Sequence, residues 1–229
     1  MKDNFFISEP SLFAPGLESV NDWILWANNK KEILQEKISP SLSYTDSLFR
    51  RRLSQLSKMT VEVVHDLINK IHVEQNAKLV FVSFRGEIER EFKLNKSIIE
   101  DKMILPASFS LSVFNAPIAL ATIACNLKNG YNVIFPTNDN FKDGLLCALA
   151  PVLAGTQNKI IFVYADEFIP SEYGKATPDN KPPLAFSCIL SKNQLTDVKS
   201  DIKSIEYCTG DIPESVYDFI RLHIKKCYN

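Results

Sequence analysis

The sequence predicts an α/β layer sandwich: a mainly parallel mixed sheet covered by helices on both faces. Two observations carry this. Short buried runs rich in β-branched and aromatic residues alternate with stretches whose apolar positions recur every three or four residues, and buried strands separated by helices need crossover connections that cover both faces of a sheet. A third sets the scale. At 229 residues, 45% of them hydrophobic and 23% charged, the chain suits one globular domain and not a disordered or collagen-like polymer.

Taken in order, residues 4–7 (NFFI) read as a short strand. The stretch 10–32 looks irregular, although Trp23 and Trp26, three apart, share one helix face as core residues do. From Asp46 the apolar positions Phe49, Leu53, Leu56, Val63, Val64, Leu67 and Ile71 describe one long amphipathic helix, with Ser43 or Thr45 as its cap. Residues 79–84 (LVFVSF) are a strand, and Gly86 opens a charged-faced helix over 87–100. The run 116–130 (APIALATIACNLKNG) is apolar nearly all round, which predicts a helix buried on most sides and closed by Gly130. A strand at 131–136 (YNVIFP) and a helix ending near Gly155 follow. Residues 159–167 and 183–191 are strands joined by an irregular, proline-rich loop at 168–182. The tail holds a strand at 203–208 and a helix from about Pro213, with Lys225 and Lys226 in its last turn. There is no repeat and no linker, so the expectation is a single domain over 1–229, its core at about 4–191 and tail elements over 200–227.

Charge and cysteine usage exclude several classes. With 26 basic against 27 acidic residues, nothing suggests a nucleic-acid footprint. Cys125, Cys147, Cys188, Cys208 and Cys227 are odd in number and form no CxxC pair, the pattern of reduced thiols and not of a disulfide framework or a metal site. No apolar run approaches eighteen residues and no leader pattern opens the chain, so a soluble, cytoplasmic protein without a membrane partner is expected. His65, His72 and His223 match no catalytic motif, and no glycine-rich phosphate loop or nucleophile elbow of the G-x-S-x-G type is present.

One stretch nevertheless has the geometry of a catalytic elbow. Residues 131–150 run strand, turn, helix, and the unpaired N–H groups of such a helix activate a Cys or Ser placed there. The turn instead carries Thr137, Asn138, Asp139 and Asn140. A carboxylate in that position is held ionised by the helix terminus and is a weak base, so Asp139 reads as an N-cap. Cys125 and Cys147 read as small core residues. Arg50, Arg51 and Arg52 spread over most of a helical turn, so at least one is expected to pair with an acid such as Glu62 or Asp66. Lys175, Asp179 and Lys181 are expected in solvent. An independent acyltransferase or hydrolase using Asp139 or Cys147 stays open.

Four words decide between these options: RRRLSQLSKM at 50–59, FVSFRGEIER at 81–90, PASFSLSVFNAP at 106–117 and YADEFIPSEY at 164–173. Together they resemble the short, half-length beta-ketoacyl-synthase-like subunits, the chain-length factors of bacterial type II polyketide and fatty-acid-like systems such as those making aryl polyenes. The resemblance runs from about Phe5 to Leu190. It implies a thiolase-like fold, equivalent to the N-terminal half of a ketoacyl synthase. Counted from Gly130, it puts Asp139 at the nucleophilic cysteine, while the catalytic histidines belong to a second half that this chain lacks. It therefore implies no catalytic residue, no metal and no cofactor. It also implies two partners, a full-length ketosynthase as the other half of a heterodimer and an acyl carrier protein that delivers phosphopantetheine-linked acyl groups to that ketosynthase. By the same resemblance Tyr131, Val133, Ile134 and Phe135 meet the partner in a continuous sheet, and Arg50, Arg51 and Arg52 help to dock the acidic carrier. Phe109, Leu111, Phe114 and Ile118 close the acyl tunnel, Phe114 and Ile118 being one helical turn apart. The sequence departs from the family at Phe114, where related chains carry histidine. A physical argument points the same way, because an all-apolar helix and strand on half of a fold leave apolar surface for a partner. A free-standing homodimeric acyl-binding protein is the remaining alternative.

Overall fold

A computed structural model of the protein describes residues 3–71, 78–176, 181–195 and 203–228, with the side chains of 139 and 174–176 outside that description. Seven strands form one sheet: β1 (Asn4–Ser8), β2 (Ser11–Phe13), β3 (Lys78–Val82), β4 (Tyr131–Ile134), β5 (Lys159–Asp166), β6 (Leu184–Ser191) and β7 (Ser204–Cys208). Among the described residues eight α-helices surround it: α1 (Val20–Ala27), α2 (Ser47–Arg52), α3 (Gln55–Ile71), α4 (Ile88–Glu100), α5 (Pro106–Ser110), α6 (Ala116–Ala124), α7 (Phe141–Leu153) and α8 (Val216–Tyr228). No helix among the described residues is long and apolar enough to cross a membrane.

The strand order is β4-β3-β5-β6-β1-β7, with β2 pairing β6. The sheet is mixed. β3 lies parallel to β4 and β5, joined by helical crossovers, whereas β6 joins β5 antiparallel along all eight residues and β1, β2 and β7 continue antiparallel. The central strands β5 and β6 are buried on both faces, which explains their unbroken apolar runs. Alternation along β5 divides the core in two. Ile160, Phe162 and Tyr164 pack towards α1, α7 and α8, while Ile161, Val163 and Ala165 pack towards α3 and α6. Gly144 lets α7 approach β3 closely, since a Cβ there would lie 2.9 Å from both Val82 and Pro136.

Five sequence expectations change. The irregular stretch 10–32 contains β2 and α1, the latter started by a capping box in which Ser19 and Asp22 satisfy each other's backbone N–H. The single helix expected over 46–71 is two helices, because Leu53 is extended (φ −80, ψ 134) between them. The cap is Asp46, whose carboxylate accepts from the N–H of Leu48 and Phe49 at 2.7 and 3.4 Å, and not Ser43 or Thr45. The helix expected over 116–130 stops at Ala124 because Asn126 turns left-handed (φ 52), and it is one-sided, with Ile118 and Ala121 buried and Ile123 69% exposed. In the proline-rich loop, Ser171–Ala176 forms a 3-10 turn. Asp179 and the Lys175 side chain fall outside the described residues, and Lys181 is exposed as expected.

Candidate functional site

The elbow is built as the strand–turn–helix pattern requires, but its cap moves by one residue. After β4, Thr137–Asp139 makes a 3-10 turn with Asn138 left-handed (φ 56, ψ 31), and Asn140, not Asp139, is the residue that precedes α7. Asn140 makes no side-chain capping bond, and its Oδ1 is buried without a partner among the described residues. The Asp139 side chain lies outside the described residues. Cys147, expected in the core, is exposed on α7. Cys125 is half-buried at the end of α6, and burial followed by the charge of Glu62 pushes its thiol up to about 12, away from the reactive thiolate. His65 stacks on Tyr44 with ring centroids 3.5 Å apart, and His223 is buried; His72 lies outside the described residues.

β4 is the edge of the sheet. Among the described residues its one neighbour is β3, and Tyr131, Val133 and Ile134 are half-buried while Phe135 is 62% exposed. Tyr131 and Val133 pack on the α3–α6 side and Ile134 on the α7 side, as strand alternation dictates. The segment that precedes β4 in the chain exposes several large apolar side chains. Met103, Ile104, Leu105 and Phe109 are each more than half exposed, as is Ile123 on α6. Single exposed apolar residues are normal; these fall within a short stretch of the chain.

The four residues assigned to a tunnel do not form one face. Phe109 is exposed on α5, and Leu111 and Phe114 are half-buried in the turn between α5 and α6, so Phe114 and Ile118 share no helix. Ile118 is fully buried in the core. Phe114 instead packs edge-on against Phe135 at 5.6 Å and covers Gly86, where any Cβ would meet its ring at 2.5 Å. Gly86 also has φ +58, so both its space and its backbone exclude larger residues.

The arginines separate by role. Arg50 donates through Nη1 to the carbonyls of Leu42, Ser43 and Thr45 and pins the preceding loop. The expected pairing with Glu62 or Asp66 does not occur: Glu62 accepts from Tyr44, and Asp66 accepts from Ser11 and Lys70. Arg51 and Arg52 are exposed and line a cavity of about 460 Å³ between α2, α3, α4 and α5.

Beneath that cavity lies a network the sequence reading missed. Glu87 is 2% exposed and accepts from Ser54 Oγ, Ser57 Oγ and Arg90 Nε. Glu167 is 1% exposed and accepts from the N–H of Leu56 and of Glu89 at 3.3 and 3.2 Å, so one carboxyl joins the first turns of α3 and α4. Burial, then the charge of Glu87, pushes the Glu167 carboxyl up to about 8. Asp166 accepts from Ser83 Oγ, Tyr164 OH and the N–H of Phe84 and Arg85, and burial still raises its pKa. The signal was present in the sequence: Asp166 and Glu167 end the apolar run of β5 and Glu87 follows β3 after a short turn, where buried charge needs partners.

Residues 23–211 match the sequence profile of beta-ketoacyl synthase, N-terminal domain. Among solved structures, a ketosynthase (ApeO) in complex with its chain length factor (ApeC) from Xenorhabdus doucetiae superimposes with a TM-score of 0.75 at 21% identity, covering 97% of this chain and 92% of the matched one. The ishigamide ketosynthase/chain length factor gives 0.61 at 12% identity, with 82% of this chain and 62% of that chain covered. A type II polyketide synthase acyl-carrier protein in complex with its ketosynthase, AntDE:AntF, gives 0.62 at 13%, with 83% and 64% covered. At these identities the likeness establishes the fold, and the chain spans under two-thirds of the latter two. No curated protein matches by sequence.

Proposed function

The chain belongs to the beta-ketoacyl synthase N-terminal domain family, and from that premise we propose that it is a non-catalytic subunit of the chain-length-factor kind, pairing with a full-length ketosynthase and shaping the tunnel in which the partner's acyl chain grows. The observation that carries this reading is the open edge of β4, flanked in the chain by the exposed apolar side chains of Phe109, Ile123 and Phe135. A sheet edge with apolar flanks is stable in solution when another chain covers it.

The elbow supports the same reading. Its turn offers Thr137, Asn138, Asp139 and Asn140 in place of a thiol or serine, and burial leaves Cys125, Cys188 and Cys227 with thiols raised well away from the thiolate range. On this reading the phosphopantetheine-linked acyl groups go to the partner, the chain itself needs no cofactor, and the exposed Arg51 and Arg52 steer the acidic carrier protein. Elongation in a cytoplasmic type II system of the aryl-polyene kind is the proposed setting. The test is expression of the chain alone and with a full-length ketosynthase. A stable complex that elongates carrier-bound chains, with no activity from the chain alone, supports the proposal. A soluble, monodisperse chain that turns over acyl thioesters unaided sinks it.

A further inference from the structure

The cavity bounded by α2, α3, α4 and α5 carries more positive charge than its walls neutralise. Among the described residues Arg51 and Arg52 have no carboxylate partner, whereas Arg90 is matched by Glu87 at 3.0 Å. Lys37 and Lys93 share one carboxylate, Glu89, at 3.0 and 2.8 Å. Two free arginines and one lysine in excess leave three positive charges uncompensated around a space of about 460 Å³. The buried acid in the wall, Glu167, keeps its proton to about pH 8 and so adds little opposing charge near neutrality. Leu53, Leu94 and Leu105 add apolar surface to the lining. Gln55 also lines the space; its amide nitrogen is engaged by the Ile38 carbonyl at 2.8 Å, and its buried Oε1 accepts nothing among the described residues.

We propose that this cavity binds a small organic phosphate ester, with Arg51 and Arg52 clasping the phosphoryl oxygens and the ester group resting on the leucines. Arginine forks match phosphoryl oxygens in pairs, and paired charge-assisted bonds outweigh those a single carboxylate would make. A volume of this size holds a phosphoryl group together with a ring or a short chain. The proposal goes beyond the subunit reading and does not depend on it, since the cavity lies wholly within this chain.

The experiment is calorimetric titration of the full chain with phenyl phosphate, inorganic phosphate, benzoate and phenol at constant ionic strength. Phenyl phosphate is expected to bind best, inorganic phosphate more weakly, and phenol not at all. The double variant Arg51→Gln, Arg52→Gln is expected to weaken phenyl phosphate by about ten-fold or more, with an unchanged melting temperature because both side chains are exposed. Removing an exposed charge elsewhere, Lys128→Gln, should leave binding unaltered. Equal binding of benzoate and phenyl phosphate, or full affinity in the double variant, overturns the proposal. So does binding of an acyl carrier protein with no binding of phenyl phosphate, an outcome that would leave the docking role of the arginines intact.

Discussion

Buried titratable side chains give the protein a stability profile with two opposing slopes. His223 is 1% exposed, with Nδ1 2.9 Å from the Tyr207 hydroxyl and Nε2 2.9 Å from the Ser8 carbonyl, so the neutral ring donates from Nε2 and accepts at Nδ1. Burial first, with the charge of Lys226 adding, lowers its pKa to about 4, against the contrary pull of the Ser8 bond; Cys227 is the other titratable neighbour on α8. A base with a depressed folded pKa costs nothing above pH ~6.5, where both states are neutral. As pH falls from there towards 4 the unfolded chain takes up a proton that the folded chain refuses, and about 3 kcal/mol of stability is lost. Glu167 acts in the opposite sense: its folded pKa is raised to about 8, so its contribution is complete below the unfolded carboxylate range and is lost as pH rises through 8. The facing groups are Glu87, Glu89 and Arg90 on α4, with Asp166 beside it on β5. Thermal unfolding as a function of pH checks both. His223→Gln is expected to flatten the loss between pH 6.5 and 4, and Glu167→Gln to flatten the loss between pH 5 and 9. Variants that only shift the whole curve would show that neither group titrates as assigned.

At the scale of elements, β4 makes the sharpest claim. The carbonyls of Gly130 and Ile134 face β3, where they accept from the N–H of Leu79 and Ser83. Strand alternation then points the N–H groups of Tyr131 and Val133 away from β3, at the open edge. Proline is tolerated on an edge strand when its missing N–H faced outward. Val133→Pro should therefore leave the chain folded, at a cost of about 1 kcal/mol for altered side-chain packing, yet abolish co-purification with a ketosynthase if the partner adds its strand here. Ile134→Lys would be ambiguous, because Ile134 already packs against the chain's own core. A tight complex formed by Val133→Pro would move the interface off this edge.

For the whole molecule, the question is which bulky residues belong to this chain's core and which to a tunnel that needs a partner. Ile118 is completely buried, so Ile118→Ala is expected to destabilise the chain by about 2–5 kcal/mol with product length unchanged. Phe109 is 58% exposed, so Phe109→Ala should hardly affect folding. If it closes a tunnel in the assembled complex, mass spectrometry of carrier-bound products will show longer chains. An unchanged length distribution from a folded Phe109→Ala complex would remove Phe109 from the gate.

Local pattern was enough for the elements whose burial repeats along their own residues. The apolar runs of β3, β5 and β6, the period of α3 and the strand–turn–helix of the elbow were legible because burial on both faces, or on one stripe, leaves its period in the residues. What depends on contacts distant in sequence was not. The break at Leu53 accompanies Arg50 reaching back to the carbonyls of the preceding loop, and Phe114 leaves its expected helix to cover Gly86 and meet Phe135. The network that carries the site joins Glu87 to Glu167 and Asp166 to Ser83 across about eighty positions. Those acids are adjacent to apolar runs in the sequence, but only the packing of β3, β5, α3 and α4 could decide that they are buried together, because a buried carboxyl is tolerated only where several donors converge on it.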